Sequence, residues 1–217
     1  MRKLIVNTFL TLDGVMQAPG GPGEDPSGGF DHGGWSFGYW DEQMQGAMGE
    51  SMSEPFDLVL GRKTYEIFAA HWPYSDDPAA EPLNRATKHV ASTTRSELEW
   101  ENSKLIESEL PEGVRALKEE EGPELQVHGS ANLIQTLLQH GLVDEFRVWI
   151  FPLVLGKGKR LFDGGTVPAG MELASSQVSS TGVIMATYRS GAEIKGGSFA
   201  AETPSEAELA RRAAQEG

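Results

Sequence analysis

The chain has 217 residues, 39% hydrophobic and 23% charged, a size and composition that fit one globular domain with or without an appendage. Its net charge of −14 excludes a nucleic-acid surface, because displacing counterions from phosphates needs clustered Lys and Arg, and it disfavours an anionic membrane for the same reason. With no cysteine, disulfides, thiolate nucleophiles and cysteine-held zinc are impossible, and a reducing cytoplasm is the expected compartment.

Met1-Arg2-Lys3 and the apolar stretch Leu4–Leu12 have the outline of an export signal. Asn7, Thr8 and Thr11 interrupt it, however, and it ends in Leu12-Asp13-Gly14, so a buried first strand is expected instead. Ala18–Trp40 then carries eight Gly and three Pro without strand or helix period, studded with Phe30, Trp35, Phe37, Tyr39 and Trp40. Long structureless stretches in compact domains are usually lids or binding loops, and aromatics are what disorder lacks, so this reads as a loop that covers a ligand. It is expected to be less ordered when the ligand is absent.

Further strands are expected at Asp57–Gly61, His89–Thr93, Leu125–His128 and Glu145–Phe151, alternating with helices at Asp41–Met52, Lys63–Ala70, Pro111–Glu121 and Ser130–His140. Near-continuous apolar strands between helices predict an α/β fold with a mostly parallel central sheet flanked by helices. Glu172–Ser179 and Val183–Arg189, joined by Ser180-Thr181-Gly182, predict an antiparallel hairpin at the C-terminal edge. Between Glu97 and Glu124, ten Glu stand against Lys104, Arg115 and Lys118, a net −7 that reads as a solvated face. The domain is expected over residues 1–189, followed by a polar, mobile tail at 190–217 with a short helix near Ser205–Gln215.

The five histidines show no metal-ligand spacing, and there is no nucleophile elbow, Walker loop or Rossmann glycine fingerprint, so no metal is expected. Two strand-to-helix junctions are nevertheless suited to anions: Gly61-Arg62-Lys63-Thr64 and Gly129-Ser130-Ala131-Asn132. Each offers a glycine where the backbone turns, open helical N–H groups and a hydroxyl. Two in one small sheet point to two phosphates.

Several blocks together resemble the dihydrofolate reductase-like family. Leu-Thr-Leu-Asp-Gly (Leu10–Gly14) is similar to the end of that family's first strand, and Gly61-Arg62-Lys63-Thr64-Tyr65-Glu66 with His71-Trp72-Pro73 to its second-strand block. Gly129–Asn132, Gly141–Glu145 and Pro152–Phe162 resemble its second half. The likeness covers about residues 3–189 and is closer to the riboflavin-biosynthesis reductase branch than to folate reductases.

The resemblance implies an NADPH-dependent reductase of a small polar heterocyclic or sugar-like substrate. The type reaction of that branch reduces 5-amino-6-(5-phosphoribosylamino)uracil. It implies cofactor contacts from Gly61, Arg62, Thr64, Ser92, Thr93, Arg95, Gly129, Ser130, Ala131 and Asn132, with Gly-Ser standing where folate reductases carry Gly-Gly. Gly14, Trp40 and Arg160 are the substrate-binding candidates, Arg160 belonging with Lys157 and Lys159 to the one compact basic cluster, which is either a phosphate site or an exposed loop. Asp13 either reaches a substrate's polar edge or accepts turn N–H bonds. Asp41 either assists protonation or caps the helix it precedes. The alternative is a catalytically silent nucleotide-binding dimeric module of the same fold. A homodimer is expected, both from the branch's habit of two-fold pairing and because Phe146, Val148, Trp149, Ile150 and Phe151 look too rich for one small sheet to bury.

Overall fold

Apolar runs and helical stripes resolve into a chain order of β1 (Leu4–Thr11), α1 (Glu42–Ser51), β2 (Phe56–Gly61), α2 (Arg62–His71), α3 (Ala80–Arg85), β3 (Lys88–Ala91) and β4 (Ser103–Leu105). Then come α4 (Leu110–Glu119), β5 (Glu124–Val127), α5 (Ala131–Gln139), β6 (Glu145–Phe151), β7 (Gly170–Val178), β8 (Ile184–Ala192) and α6 (Glu206–Ala213). The computed structural model describes residues 1–163, 166–199 and 203–215. Among the described residues, the eight strands form one sheet in the order β4-β3-β2-β5-β1-β6-β8-β7. The first six in that order are mutually parallel, and β8 runs antiparallel to both β6 and β7. The expected fold class is therefore the observed one.

Strand alternation sends side chains to two differently covered faces. Leu4, Val6, Val59, Leu125, Val127, Phe146 and Val148 pack under α4 and α5, through Val114, Leu117, Leu133, Ile134 and Leu137. On the opposite face, Phe56, Leu58, Leu60 and Val90 pack under α2 and α3 through Tyr65 and Leu83. A third cluster joins Met44 of α1 and Trp35 of the glycine-rich loop to Phe151 and Met185, with Phe9 and Trp149 packed against it.

Several boundaries differ from the expectations for physical reasons. The third strand ends at Ala91 rather than Thr93, because the Ser92 hydroxyl accepts from the amides of Thr94 and Arg95 and turns the chain. The acidic stretch is more than a solvated face: it supplies β4 and α4, and Trp100, Val114 and Leu117 from it are buried. The run from Phe146 to Phe151 is accommodated within one chain. Phe146, Val148 and Phe151 are buried, and Trp149 and Ile150 pack against the two clusters on either face. That run therefore gives no support to a dimer. Beyond the expected domain end, β8 continues to Ala192, and the short helix expected in the tail is α6, capped by Ser205 accepting from the Glu208 amide. No helix among the described residues is long and apolar enough to cross a membrane.

Candidate functional site

The sheet order contains a switch point. The chain leaves β2 outward to β3, whereas it leaves β5 in the opposite sense, across β1 to β6. Right-handed crossovers in opposite directions put the following helices on opposite faces, and the clusters bear this out: α2 packs on Leu58 and Leu60, α5 on Val59 and Val127. Because β2 and β5 are neighbours, the N-termini of α2 and α5 open beside one another at the strands' carboxyl ends. A crevice there is where open α/β sheets hold ligands.

The two junctions touch. The Ser130 amide donates to Thr64 Oγ1 at 3.0 Å, and the two hydroxyls lie 2.8 Å apart. A methyl group on Gly61 would meet Ser130 Oγ at 2.3 Å, so glycine is required there by contact, not by its φ of −74°. Gly129, by contrast, has φ +154° and a Cβ position 3.2 Å from Thr64 Oγ1. Neither helix has a side-chain cap on its N-terminus. The first-turn amides of both are thus presented together to one groove of about 2790 Å³, larger than one small ligand fills.

Arg62 and Arg95 share one partner. Arg62 donates to both Glu66 oxygens, at 3.1 and 2.9 Å, and Arg95 Nε donates to Oε1 at 3.0 Å. Burial pushes the Glu66 carboxyl upward, but the hydrogen bonds from Arg95 and Arg62 outweigh it and hold the group below its usual range. Two guanidiniums on one carboxylate leave an excess positive charge near Ser92 and Thr93. Arg62, Ser92 and Thr93 line the groove with Gly61, Thr64 and Gly129–Asn132.

At its other end the groove is floored by the sheet itself. On the face shared with α2, Asn7 of β1 pairs with Arg147 of β6, which pairs with Thr187 of β8; His128 lies one step beyond the Val6–Val127 pair. Arg147 grips Glu124 with two parallel bonds of 2.7 and 3.0 Å and Glu145 with a third of 3.0 Å. Gln126 donates to Glu124 and meets His128 Nε2 at 2.8 Å. A strip of the His128 ring still reaches the groove, but protein crowds it elsewhere; that burial, with the nearby Arg147 charge, pushes its pKa down to about 4. Above this polar row stand three rings: Phe9 and Trp149 stacked at 5.1 Å, with Trp40 5.8 Å from Phe9 and 5.7 Å from Trp149.

The sequence profile of the RibD C-terminal domain matches residues 2–185. The chain belongs to that family. Among curated proteins it is 28% identical over 196 residues to the uncharacterized protein YyaP of Bacillus subtilis strain 168, covering 86% of this chain and 94% of YyaP. The uncharacterized YwjB of the same organism is 27% identical over 172 residues, covering 74% and 83%. Two solved structures share the fold. A protein assigned to riboflavin biosynthesis from Shewanella sp. PV-4 aligns with TM-score 0.69 and 22% identity, over 88% of this chain and 99% of that one. An Enterococcus faecalis dihydrofolate reductase complexed with NADP(H) aligns with TM-score 0.56 and 13% identity, over 88% and 97%.

Within this RibD C-terminal domain, five of the expected site residues stand off the groove lining. Asp13 accepts from the Thr11 hydroxyl and from the amides of Leu155 and Gly156. Burial pushes its carboxyl upward, yet these bonds prevail and bring the pKa to about 2. Arg160 closes on Asp13 and on the Gly156 carbonyl, and Gly14, with φ +78°, turns the chain between them. Asp41 caps α1 through the Met44 amide and also accepts from the Ser180 amide and hydroxyl, which holds its carboxyl below the usual range. Asp13 thus accepts turn N–H bonds and Asp41 caps the helix it precedes. Trp40 does line the groove; Arg95 does not, and is linked to the lining residue Arg62 through their shared Glu66.

The basic cluster likewise has partners. Lys157 pairs with Asp31 at 3.1 Å, Lys159 with Asp25, and Arg160 with Asp13. The two lysine pairs fasten the Pro152–Phe162 segment to the glycine-rich loop, whose Phe30 and Trp35 are buried and whose Trp35 indole donates to the Gln17 carbonyl. The floor residues Asn7, Glu124, Arg147, Trp149 and Thr187 were not among the expected site residues. The signal for them is polar residues recurring on one face of otherwise apolar strands, as Glu145, Arg147 and Trp149 do in Glu-Phe-Arg-Val-Trp-Ile-Phe.

Proposed function

We propose that the chain is an NADPH-dependent reductase acting on a small polar heterocyclic or sugar-like substrate. The observation that carries this reading is the pair of uncapped helix N-termini meeting over Gly61 and Gly129 at the switch point of the sheet. Gly61, Gly129 and the first-turn amides of α2 and α5 fit a pyrophosphate, since open N–H groups and a positive dipole end favour anionic oxygen. Arg62, Ser92 and Thr93, with Arg95 behind them, fit the 2′-phosphate end. When bound there, NADPH supplies the hydride; the protein binds, orients and excludes water. The reading gives Asp13 and Asp41 no part in proton transfer, because both carboxylates are ionised and committed to backbone amides.

Calorimetric titration with NADPH and NADH, followed by NADPH oxidation against a panel of aminopyrimidinones, pterins and aldoses, tests it. Binding of NADPH in preference to NADH, with turnover of a panel member, is the expected result. Binding without any oxidation across the panel makes the chain a silent nucleotide-binding module instead. No binding of either dinucleotide removes the cofactor assignment altogether.

A further inference from the structure

The floor of the cleft is polar where a sheet face is ordinarily apolar, and part of it has no partner. Asn7 and Thr187 are half-buried, line the groove, and make no side-chain hydrogen bond among the described residues. Both face the groove, so two open polar side chains flanking Arg147 on a central floor offer a ligand hydrogen-bonding groups for which no described side chain competes. Arg147 itself spends three of its five N–H donors on Glu124 and Glu145 and keeps two. Its charge is balanced by the paired carboxylates, so the floor offers hydrogen bonds without a free positive charge.

The same holds for the other cations at this end. Lys159 is closed on Asp25, and burial holds His128 neutral at pH 7. Arg62, further along the groove, shares Glu66 with Arg95 and belongs to the 2′-phosphate end rather than to this floor. Lys63 also lines the groove, but on the first turn of α2; a phosphate on the sheet floor would meet Glu124, Asp25 and Glu24 beside cations that are already paired, and an unpaired dianion is costly to desolvate. An uncharged ring meets no such penalty. It can lay its face against one of Trp40 and Trp149, whose planes stand 53° apart beside the polar row, with the other ring at its edge.

We propose that this cleft selects a flat, uncharged heterocycle, held against the Trp40 and Trp149 pair with its edge hydrogen-bonded to Asn7, Arg147 and Thr187, and that it rejects phosphorylated substrates. The proposal rests on the reductase reading above and narrows its substrate: the branch's type substrate carries a phosphate, and this chain's does not.

The test is tryptophan fluorescence, with uridine and uridine 5′-monophosphate titrated into protein saturated with NADPH and into protein without it. Saturation keeps the phosphate of the second probe away from the helix N-termini. Uridine is expected to quench and to bind at least about tenfold more tightly than its monophosphate. Asn7→Leu and Thr187→Val are expected to weaken uridine about tenfold each while leaving the thermal midpoint unchanged or raised, since neither side chain has a partner to lose within the fold. The proposal is overturned if the monophosphate binds as tightly as uridine, if neither probe quenches at millimolar concentration, or if both variants bind uridine like the parent. Failure of NADPH to bind the parent protein sinks the reductase reading instead, and is scored separately from the uridine arms.

Discussion

Gly61 is where a single atom decides how the two halves of the groove meet. Its φ is ordinary, so any residue could adopt the backbone; only the approach of Ser130 Oγ, 2.3 Å from where a Cβ would stand, forbids one. Gly61→Ala is therefore expected to cost about 1–3 kcal/mol by overpacking and to weaken NADPH. Combining it with Ser130→Gly removes the obstructing side chain and is expected to recover most of the stability. Denaturant titration of the two single variants and the double variant measures the coupling, and additive losses would show that the contact is not what constrains Gly61.

Lys88 poses the opposite case, a charge placed where charge is disfavoured. It is fully buried, its Nζ 4.1 Å from the centroid of the Trp100 ring and bonded to the carbonyls of Asn84 and Glu101. Burial lowers its pKa from 10.5 to about 8. Between those values the unfolded chain holds a proton that the folded chain has released, so stability rises with pH across the window. Relative to Lys88→Met, the parent is expected to gain up to about 3 kcal/mol on passing from pH 8 to 10.5. A difference between the two proteins that stays flat with pH would mean that the carbonyls and the ring carry the charge without penalty.

Among the elements, the proposed reductase function assigns to α2 the selectivity for one dinucleotide over the other. Arg62 at its start and Arg95 after β3 converge on Glu66, four residues into the helix from Arg62. Half-exposed guanidiniums that share a carboxylate offer a 2′-phosphate less than free ones, but their charge exceeds that of Glu66 by one. Arg62→Ala with Arg95→Ala is thus expected to weaken NADPH about tenfold more than NADH, read by parallel calorimetric titrations. Equal losses for both cofactors would place these residues on the shared pyrophosphate or on the fold.

Much of this element-scale arrangement was legible in the sequence. Continuous apolar runs such as Leu4–Leu12 and Asp57–Gly61 named strands buried on both faces, and in the apolar stripe Leu133, Ile134, Leu137 and Leu138 the first three are the buried side of α5. Glycine followed by a helix start named both junctions. What was not legible came from cross-strand geometry: that the two junctions touch follows from β5 inserting between β2 and β1, over 60 residues away in the chain. The floor escaped for the same reason, because Asn7, Glu124, Arg147 and Thr187 lie on four strands and become neighbours only through register. β4 has three residues, too few for a periodic signal, and Asp13 and Arg160 met partners that no local spacing announces.

For the molecule as a whole, the open question is what lies against β7. This nine-residue edge strand is exposed along nearly its whole length and carries one charged residue, Glu172, and no proline or lysine to blunt pairing. A register shift between Leu173 and Ser175 restores the alternation, so Leu173 opposite Tyr188 and Val178 opposite Ile184 look to the same face. Leu173, Val178 and Ile184 are 52%, 60% and 40% exposed, an apolar strip on the α5 side of the sheet that α5 does not reach. In a chain of net charge −14, a contact between copies must be apolar enough to overcome mutual repulsion, and this strip is its most apolar exposed sheet surface. A two-fold pairing through β7 and β8 would cover the same residues on both copies. The protein is therefore expected to sediment as a homodimer at tens of micromolar, and more firmly at high salt, where repulsion is screened. Leu173→Glu with Val178→Glu is expected to give monomers with unchanged circular dichroism, because both side chains point away from the core of their own chain. A monomeric parent under these conditions would overturn the dimer, and a dimeric double variant would move the interface off this strip.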